Sequence, residues 1–301
     1  MVTRYFLSLL CGCKQYSVLQ RFLSSSHASS TVDQLSHEWD VGASEYDQVF
    51  TQAFQVYAQQ ALDLTVTDST TKNIRLLDVG CGGGALSLLA ATKGYDVTAV
   101  DYSPRMIELL KSKTNRVHAH VMNGENMREF QDNTFDYVYS LFSLMFYPNP
   151  LRGVEEIYRV CKRKCCIVTW SSMSNIEWVK RNNRALLKVK PNLPRSKHTR
   201  QVESLSNVNE FRNLLIEANV KAENIQIHKV AKSIDIGNDP YAFWKNMTRS
   251  FPAIRETLHQ HYTKDEQNQV EQEFVKQLEN DFGTNKNIKL TGEALFVIAE
   301  K

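Results

Sequence analysis

Short apolar runs alternate along the first half of the chain with stretches whose apolar residues recur every three or four positions. Runs of this length are typical of buried strands, and the recurrence is typical of amphipathic helices. The pattern predicts strands at 74–79, 97–100, 117–122, 135–140 and 165–170, and helices at 83–92, 104–112 and 151–163. Because strands that alternate with helices form βαβ units, we predict an α/β fold with a doubly wound, mostly parallel sheet.

The second half of the chain has a less regular pattern. It predicts a helix at 208–218 and strands at 225–236 and 293–299, which bring the sheet to seven strands and make the last one antiparallel. Two insertions, 175–203 and 239–282, interrupt this plan. Insertions at one end of such a sheet usually cover its ligand crevice, so we expect these two to contribute helices to a cap.

An amphipathic pattern at 40–64 predicts a helix before the first strand, and a polar run follows it. We therefore divide the chain into a presequence at 1–30 and one domain at 31–301. The domain comprises an N-terminal helical cap at 31–73, a core at 74–171 and the remainder at 172–301.

The composition allows a sizeable core, since 42% of the 301 residues are hydrophobic and 10% are aromatic. The longest apolar stretches fall well short of the roughly 20 residues that a membrane-spanning helix needs. Three basic residues lie in the first 30 positions, where there is no acid, and beyond them the basic and acidic residues balance. A neutral body gives no electrostatic reason to expect a nucleic-acid partner.

The first 30 residues are rich in serine, contain scattered basic residues and lack acids. This composition is typical of a mitochondrial transit peptide that is removed on import. A secretory signal is the alternative, because Arg4 precedes an apolar stretch at 5–11. The positive charge of Lys14 and Arg21 continues past the point where a signal peptide turns small and neutral, which favours the mitochondrial matrix.

Four cysteines lie beyond the presequence: Cys81, Cys161, Cys165 and Cys166. They form no paired framework, and the segment 161–166 lacks the C-x2-C spacing that is typical of zinc sites. We interpret Cys165 and Cys166 as buried strand residues and predict no metal site.

A glycine-rich turn follows the first predicted strand. Gly80-x-Gly82-x-x-Ala85 matches the dinucleotide fingerprint, so a nicotinamide enzyme is the first alternative. Asp101 ends the next strand, where an acid binds ribose hydroxyls. Asp78, two residues before the first glycine, distinguishes the ligands, because its carboxylate would repel a pyrophosphate at the helix N-terminus. S-adenosylmethionine has no phosphate, and the same carboxylate would favour its ammonium and sulfonium groups.

The stretch from Leu77 to Gly84, LDVGCGGG, resembles motif I of class I S-adenosylmethionine-dependent methyltransferases, which have a Rossmann-like fold. The resemblance extends over residues 74–171. It implies that Asp78 and the turn Gly80-Cys81-Gly82 hold the methionine part of the cofactor. It also implies that Asp101 binds the ribose and that Tyr102 packs on the adenine.

Two further segments carry the resemblance. Met122-Asn123-Gly124-Glu125 stands where relatives often have Gly-Asp-Ala-Glu, which implies that the Asn123 amide accepts from the adenine amino group and that the Gly124 N–H reaches a ring nitrogen. Residues 133–150 are similar to the fourth-strand region of the ubiquinone and menaquinone biosynthesis type, with Ser140 among the expected cofactor-binding residues. Residues 39–46 are similar to the N-terminal helix that folds over the cofactor in this family.

The sequence says less about the molecule that accepts the methyl group. Ser140-Leu141-Phe142-Ser143 differs from the Asn-Pro-Pro-Tyr segment that grips an exocyclic amine or amide, which favours an oxygen, carbon or sulfur nucleophile on a small molecule. Residues 239–258 supply aromatic and apolar side chains to the expected cap. We predict no catalytic residue, because the candidate histidines show no catalytic spacing: His118, His120, His228, His259 and His261.

Residues 180–200 form the one strongly basic stretch of the body. It contains Lys180, Arg181, Arg184, Lys188, Lys190, Arg195, Lys197 and Arg200. A solvated face is one interpretation, and a docking surface for an anionic substrate, an acidic protein or anionic lipid is the other.

These observations predict a mitochondrial methyltransferase that uses S-adenosylmethionine and acts on a small, apolar or quinone-like molecule. The alternatives are a methyltransferase of a mitochondrial protein or RNA, for which the basic stretch is the hint, and a non-catalytic cofactor-binding assembly factor. Asn123 and Leu141 keep the second alternative open, because relatives often have Asp at the first of these positions and commonly have Asn at the second.

Overall fold

Seven strands form a single sheet in the computed structural model, which describes residues 32–66, 73–192, 203 and 205–301. The strands are β1 (Arg75–Val79), β2 (Asp96–Asp101), β3 (Val117–Val121), β4 (Phe135–Leu141), β5 (Cys161–Trp170), β6 (Ile225–Asp235) and β7 (Lys289–Glu300). Their order is β3-β2-β1-β4-β5-β7-β6, and β7 runs antiparallel to both of its neighbours. The predicted doubly wound, mostly parallel sheet is therefore confirmed.

Ten α-helices surround the sheet in the described ranges. They are α1 (Val32–Tyr46), α2 (Gln55–Thr65), α3 (Ala85–Thr92), α4 (Pro104–Lys113), α5 (Pro150–Val160), α6 (Glu177–Val189), α7 (Val208–Glu217), α8 (Pro240–Ser250), α9 (Pro252–His261) and α10 (Lys264–Phe282). None of these helices is both long and apolar enough to cross a membrane. The predicted transit peptide lies outside the described residues.

Several predicted boundaries were wrong, and β7, for example, begins at Lys289 rather than at residue 293. The single helix expected at 40–64 is instead two helices with a π-helical turn at Asp47–Thr51 between them. A single turn of this kind is too short to be recognised from apolar spacing over the whole segment. The helix expected to end at residue 163 ends at Val160, and β5 begins at Cys161. Both of these residues are fully buried, so apolar periodicity could not distinguish the end of the helix from the start of the strand.

An aromatic cluster joins α2 to the upper part of the sheet. Phe142 stacks on Trp170 with 4.1 Å between ring centroids, and Phe54, which precedes α2, lies 5.0 Å from Phe142. Tyr57 of α2 donates a hydrogen bond of 2.8 Å to the carbonyl of Gly292 in β7. The N-terminal helices are therefore part of the core rather than an appendage to it.

The insertion at 239–282 packs against α1. A Cβ added to Gly42 of α1 would lie 2.5 Å from the carbonyl oxygen of Arg249, so only glycine allows α1 to approach α8 this closely. Arg255 of α9 donates to the carbonyls of both Arg249 and Glu38, each at 2.6 Å. Helices from the two ends of the domain thus form one cap.

Acids of α10 pair with three of the five basic residues that the structure describes in the stretch 180–200. Arg181 pairs with Asp281 at 2.7 Å, Lys188 with Glu273 at 2.8 Å, and Lys190 with Glu266 at 3.1 Å. Arg181 is itself buried. These pairs favour a structural role for this face, and residues 193–200 of the stretch lie outside the described part of the chain.

Candidate functional site

A pocket lies at the carboxyl ends of β1, β2 and β4, where the strand order reverses and ligands of such sheets bind. It contains about 710 Å³ of empty space, counted to its open mouth. Its walls are Trp39, Tyr46, Thr51, Phe54, Asp78, Gly80, Cys81, Gly82, Gly83, Ala85, Leu86, Asp101, Tyr102, Met106, Leu141, Phe142, Ser143, Phe146 and Tyr147. Two of these residues are acids and none is basic.

The glycine turn forms the floor of the pocket between β1 and α3. Gly80 and Gly82 have φ angles of 70° and 51°, which glycine adopts at little cost. A Cβ on Gly80 would overlap the side chain of Ser143. Backbone atoms therefore border the pocket closely here, as the sequence pattern predicts for a turn that holds a ligand.

Asp78 lies one residue before the end of β1 and is 1% exposed. Its Oδ2 accepts hydrogen bonds from the backbone N–H of Ser87 at 3.2 Å and from the Ser87 hydroxyl at 2.6 Å. Burial raises the pKa of Asp78 from 3.8 to about 7, against the opposing effect of these two donors. The carboxylate thus has neutral partners only, and a cation in the pocket would stabilise its charge.

Asp101 ends β2 on the other side of the glycine turn. Its Oδ2 accepts from the Gly82 N–H and its Oδ1 accepts from the Ser103 N–H, both at 2.9 Å. Burial, with a smaller contribution from the neighbouring charge of Asp40, raises the pKa of Asp101 to about 6. The two acids that the motif singles out are therefore brought into one pocket.

Two other predicted residues also line this pocket. The Tyr102 hydroxyl is buried and has no hydrogen-bond partner, so a ligand that offers an acceptor would satisfy it. Burial raises the pKa of the Cys81 thiol, so the thiol stays neutral and is a poor nucleophile.

Three predicted residues lie beside the pocket rather than in its wall. The Asn123 Oδ1 accepts from the Glu125 N–H at 2.9 Å, which closes a local turn, and the ring of Tyr147 covers Gly124. Ser140 is fully buried and shares a hydrogen bond of 2.7 Å with Ser143. Their role in cofactor binding stays a prediction.

Sequence reasoning singled out Ser140, but it is Ser143 that lines the pocket. The reason is Phe142, whose φ of 55° is unusual for a bulky residue and turns the chain after β4. Stacking on Trp170 holds Phe142 in this strained conformation, which is common near functional sites. No local sequence signal marks such a turn.

The aromatic walls were also missed as site residues. Trp39 packs edge-to-face on Phe146 with 5.1 Å between centroids, and Tyr46 lies over Gly82. The available signal was the likeness of residues 39–46 to a helix that folds over the cofactor.

None of the five candidate histidines lines the pocket. No cluster of metal-binding side chains occurs within the described ranges.

Comparison with known proteins agrees with this geometry. Residues 77–169 match the family model described as "Methyltransferase domain". Demethylmenaquinone methyltransferase of Staphylococcus aureus strain MRSA252 is 38% identical over 97 residues, which are 30% of this chain and 40% of that protein. Sterol 4-C-methyltransferase strm-1 of Caenorhabditis elegans is 33% identical over 98 residues, 31% of this chain and 29% of that protein. The chain thus spans less than half the length of these relatives.

The fold is similar to that of phosphoethanolamine N-methyltransferase 2 of Haemonchus contortus, solved with phosphomonomethylethanolamine and S-adenosylhomocysteine. The TM-score is 0.52 at 18% identity, with coverage of 87% of this chain and 57% of that one. At this identity the likeness shows the fold alone.

The raised pKa of Asp78 has a consequence for stability. The unfolded chain ionises this group near pH 4 while the folded chain resists until about pH 7, so folding stability falls as the pH rises between these values. An Asp78→Asn variant lacks this penalty. At each pH we compare the unfolding free energy of this variant with that of the wild type. We expect the difference in favour of the variant to be about 3 kcal/mol larger at pH 8 than at pH 5. Denaturant unfolding without ligand measures it, with the exposed Asp96→Asn as control. A gain that does not change with pH would contradict the assignment.

Proposed function

We propose that this chain, which carries a class I S-adenosylmethionine-dependent methyltransferase domain, transfers a methyl group from that cofactor to a small, apolar or quinone-like acceptor. The observation that carries the proposal is the pair of buried carboxylates, Asp78 and Asp101, in a pocket without a basic residue. Such a pocket favours a cationic ligand. When bound, the cofactor supplies an electrophilic methyl group on its sulfonium.

The residues of the pocket have distinct roles in this proposal. Asp78 and the Gly80–Gly82 turn hold the cationic methionine part, and Asp101 accepts from the ribose hydroxyls. The unpartnered hydroxyl of Tyr102 hydrogen-bonds to the nucleoside part. A dinucleotide fits less well, because its pyrophosphate would face the Asp78 carboxylate at the start of α3.

Aromatic walls support an apolar acceptor. Phe54, Phe142 and Phe146 line the pocket beside the cofactor residues, and Trp39 closes over Phe146. Aromatic side chains favour planar or apolar ligands, whereas an anionic acceptor would meet two acids and no base. Two curated relatives are named for a menaquinone precursor and a sterol, which are both apolar.

Methyl transfer is an in-line displacement, so alignment and exclusion of water supply most of what the protein contributes. The titratable side chains of the pocket, apart from the two acids, are Cys81 and three tyrosines. Burial raises the pKa of Tyr46, Tyr102 and Tyr147, so these phenols stay protonated. We therefore propose that the walls position the acceptor, and we assign no general base.

Binding of the cofactor tests the first half of the proposal. Protonation of Asp78 and Asp101 below about pH 7 and pH 6 removes the charges that attract the cation. We expect S-adenosylmethionine to bind at least about tenfold more tightly at pH 7.5 than at pH 5.5 in isothermal titration. Asp101→Asn should weaken binding by a similar factor at pH 7.5, and the exposed Asp96→Asn should not. Tighter binding of NADH than of S-adenosylmethionine would contradict the proposal.

Product analysis tests the second half. We expect mass spectrometry to show transfer of a methyl group from S-adenosylmethionine to a prenylated hydroquinone. Phosphoethanolamine should gain none, because it would bring a phosphate beside two carboxylates. Asp78→Asn serves as the inactive control. Methylation of phosphoethanolamine in place of the hydroquinone would refute the acceptor class, and tight cofactor binding without any transfer would favour the assembly factor.

We propose the mitochondrial matrix as the site of action, on the composition of the first 30 residues alone. Import of the full chain into isolated mitochondria should yield a protease-protected product shortened by about 30 residues. A chain in which Arg4, Lys14 and Arg21 are replaced by Glu should remain outside. Entry into microsomes instead would support the secretory alternative.

A further inference from the structure

Ser103 lies between two carboxylates that belong to different parts of the site. Its backbone N–H donates to Asp101 Oδ1 at 2.9 Å, and its hydroxyl donates to Asp40 Oδ1 at 2.5 Å. Asp101 is the acid of β2 that we propose binds the ribose, whereas Asp40 belongs to α1 of the cap. Ser103 therefore connects Asp101 to α1.

The contact between α1 and the loop after β2 extends beyond Ser103. Asp40 Oδ1 also accepts from the Arg105 N–H at 3.2 Å, so it supports the first turn of α4. Ser36, one turn earlier on α1, donates from its hydroxyl to the carbonyl of Tyr102 at 3.0 Å. The loop at 102–105 thus depends on α1 for three hydrogen bonds, and all three are lost if α1 moves away.

The same helix closes the pocket. Trp39 and Tyr46 of α1 form part of its wall, and Trp39 lies 6.4 Å from Phe251 of the insertion, centroid to centroid. A ligand in the pocket therefore lies against two side chains of α1. Seating of α1 and occupancy of the pocket are therefore physically linked.

We infer that Asp40 is a positioning residue that, acting through Ser103, couples the seating of α1 to the orientation of the Asp101 carboxylate. The inference rests on the proposed function, in which Asp101 holds the cofactor. Because such coupling is reciprocal, a bound cofactor holds α1 in place and a seated α1 raises the affinity for the cofactor. Affinity differences among variants of one site arise mostly in the dissociation rate. Asp40 does not itself line the pocket.

Electrostatics supplies an independent measure of the same contact. The charge of Asp40 adds to the effect of burial in raising the pKa of Asp101. The other titratable groups whose interactions with Asp101 are resolved come from five different segments: Asp78 of β1, Cys81 of the glycine turn, Tyr46 of α1, and Tyr102 and Tyr147 of the loops after β2 and β4. Removal of the Asp40 charge should therefore lower the pH at which Asp101 loses its charge.

The experiment compares the full chain with four variants: Asp40→Ala, Asp40→Asn, Ser103→Ala and the double variant Asp40→Ala/Ser103→Ala. Glu45→Ala is the matched control, because Glu45 is an acid on the same helix that lies 3.8 Å from Arg249 and does not contact the loop. The measurements are the dissociation rate of S-adenosylhomocysteine by stopped-flow and hydrogen exchange of residues 32–51 with and without this ligand. Circular dichroism verifies that each variant is folded.

We expect Asp40→Ala to speed dissociation about tenfold and to abolish the slowing of exchange in α1 that the ligand causes in the wild type. Ser103→Ala should also speed dissociation, and the effects of the two variants should be less than additive, because the two side chains share one hydrogen bond. Asp40→Asn keeps a hydrogen-bond acceptor, so the ligand should dissociate from it as slowly as from the wild type. The pH at which acidification weakens cofactor binding should be lower in this variant than in the wild type.

Additive effects of the two single variants, or Asp40→Ala behaving as Glu45→Ala does, would overturn the inference while leaving the proposed function in place. A wild-type chain that binds neither S-adenosylmethionine nor S-adenosylhomocysteine would overturn both. An Asp40→Asn profile that keeps the wild-type pH midpoint would overturn the electrostatic part and reduce Asp40 to a helix-supporting contact.

Discussion

The buried charge of Asp78 is the constraint on which the site depends. β1 pairs with β2 on one side and with β4 on the other, so the end of this strand lies at the centre of the sheet and away from water. The hydrogen bonds from Ser87 satisfy the oxygen but leave its charge uncompensated. The pocket therefore selects a ligand that brings positive charge, and this preference arises from the position of one strand in the sheet.

Around this charge the fold builds a largely apolar enclosure. The aromatic side chains of α1, α2 and the loop after β4 meet above the sheet, with Phe54 in contact with Phe142 and Trp39 in contact with Phe146. A low-polarity wall strengthens the attraction between a carboxylate and a cation, because little water screens it. The same wall suits the apolar acceptor that we propose, so in this proposal the features that hold the cofactor and those that admit the acceptor support each other.

Local sequence was informative wherever the structure depends on neighbouring residues. The strand, the glycine turn and the start of α3 are contiguous, so LDVGCGGG was enough to locate Asp78 and the turn correctly. Prediction failed where two structures share one pattern. Val160 and Cys161 suit a buried helix as well as a buried strand. The π-helical turn at Asp47–Thr51 is a single turn, too short to be distinguished from the helical pattern on either side of it.

By itself the sequence determined the alternating sheet, the acid before the glycine turn and the acid after the second strand, because these follow from periodicity and short-range order. Only the tertiary structure decided which distant residues share the site. Phe142 turns the chain so that Ser143 rather than Ser140 faces the pocket, and α1 brings Asp40 to Ser103 from 63 positions away. Such contacts depend on how packed helices and strands meet in space, and the spacing of residues along the chain does not predict that packing.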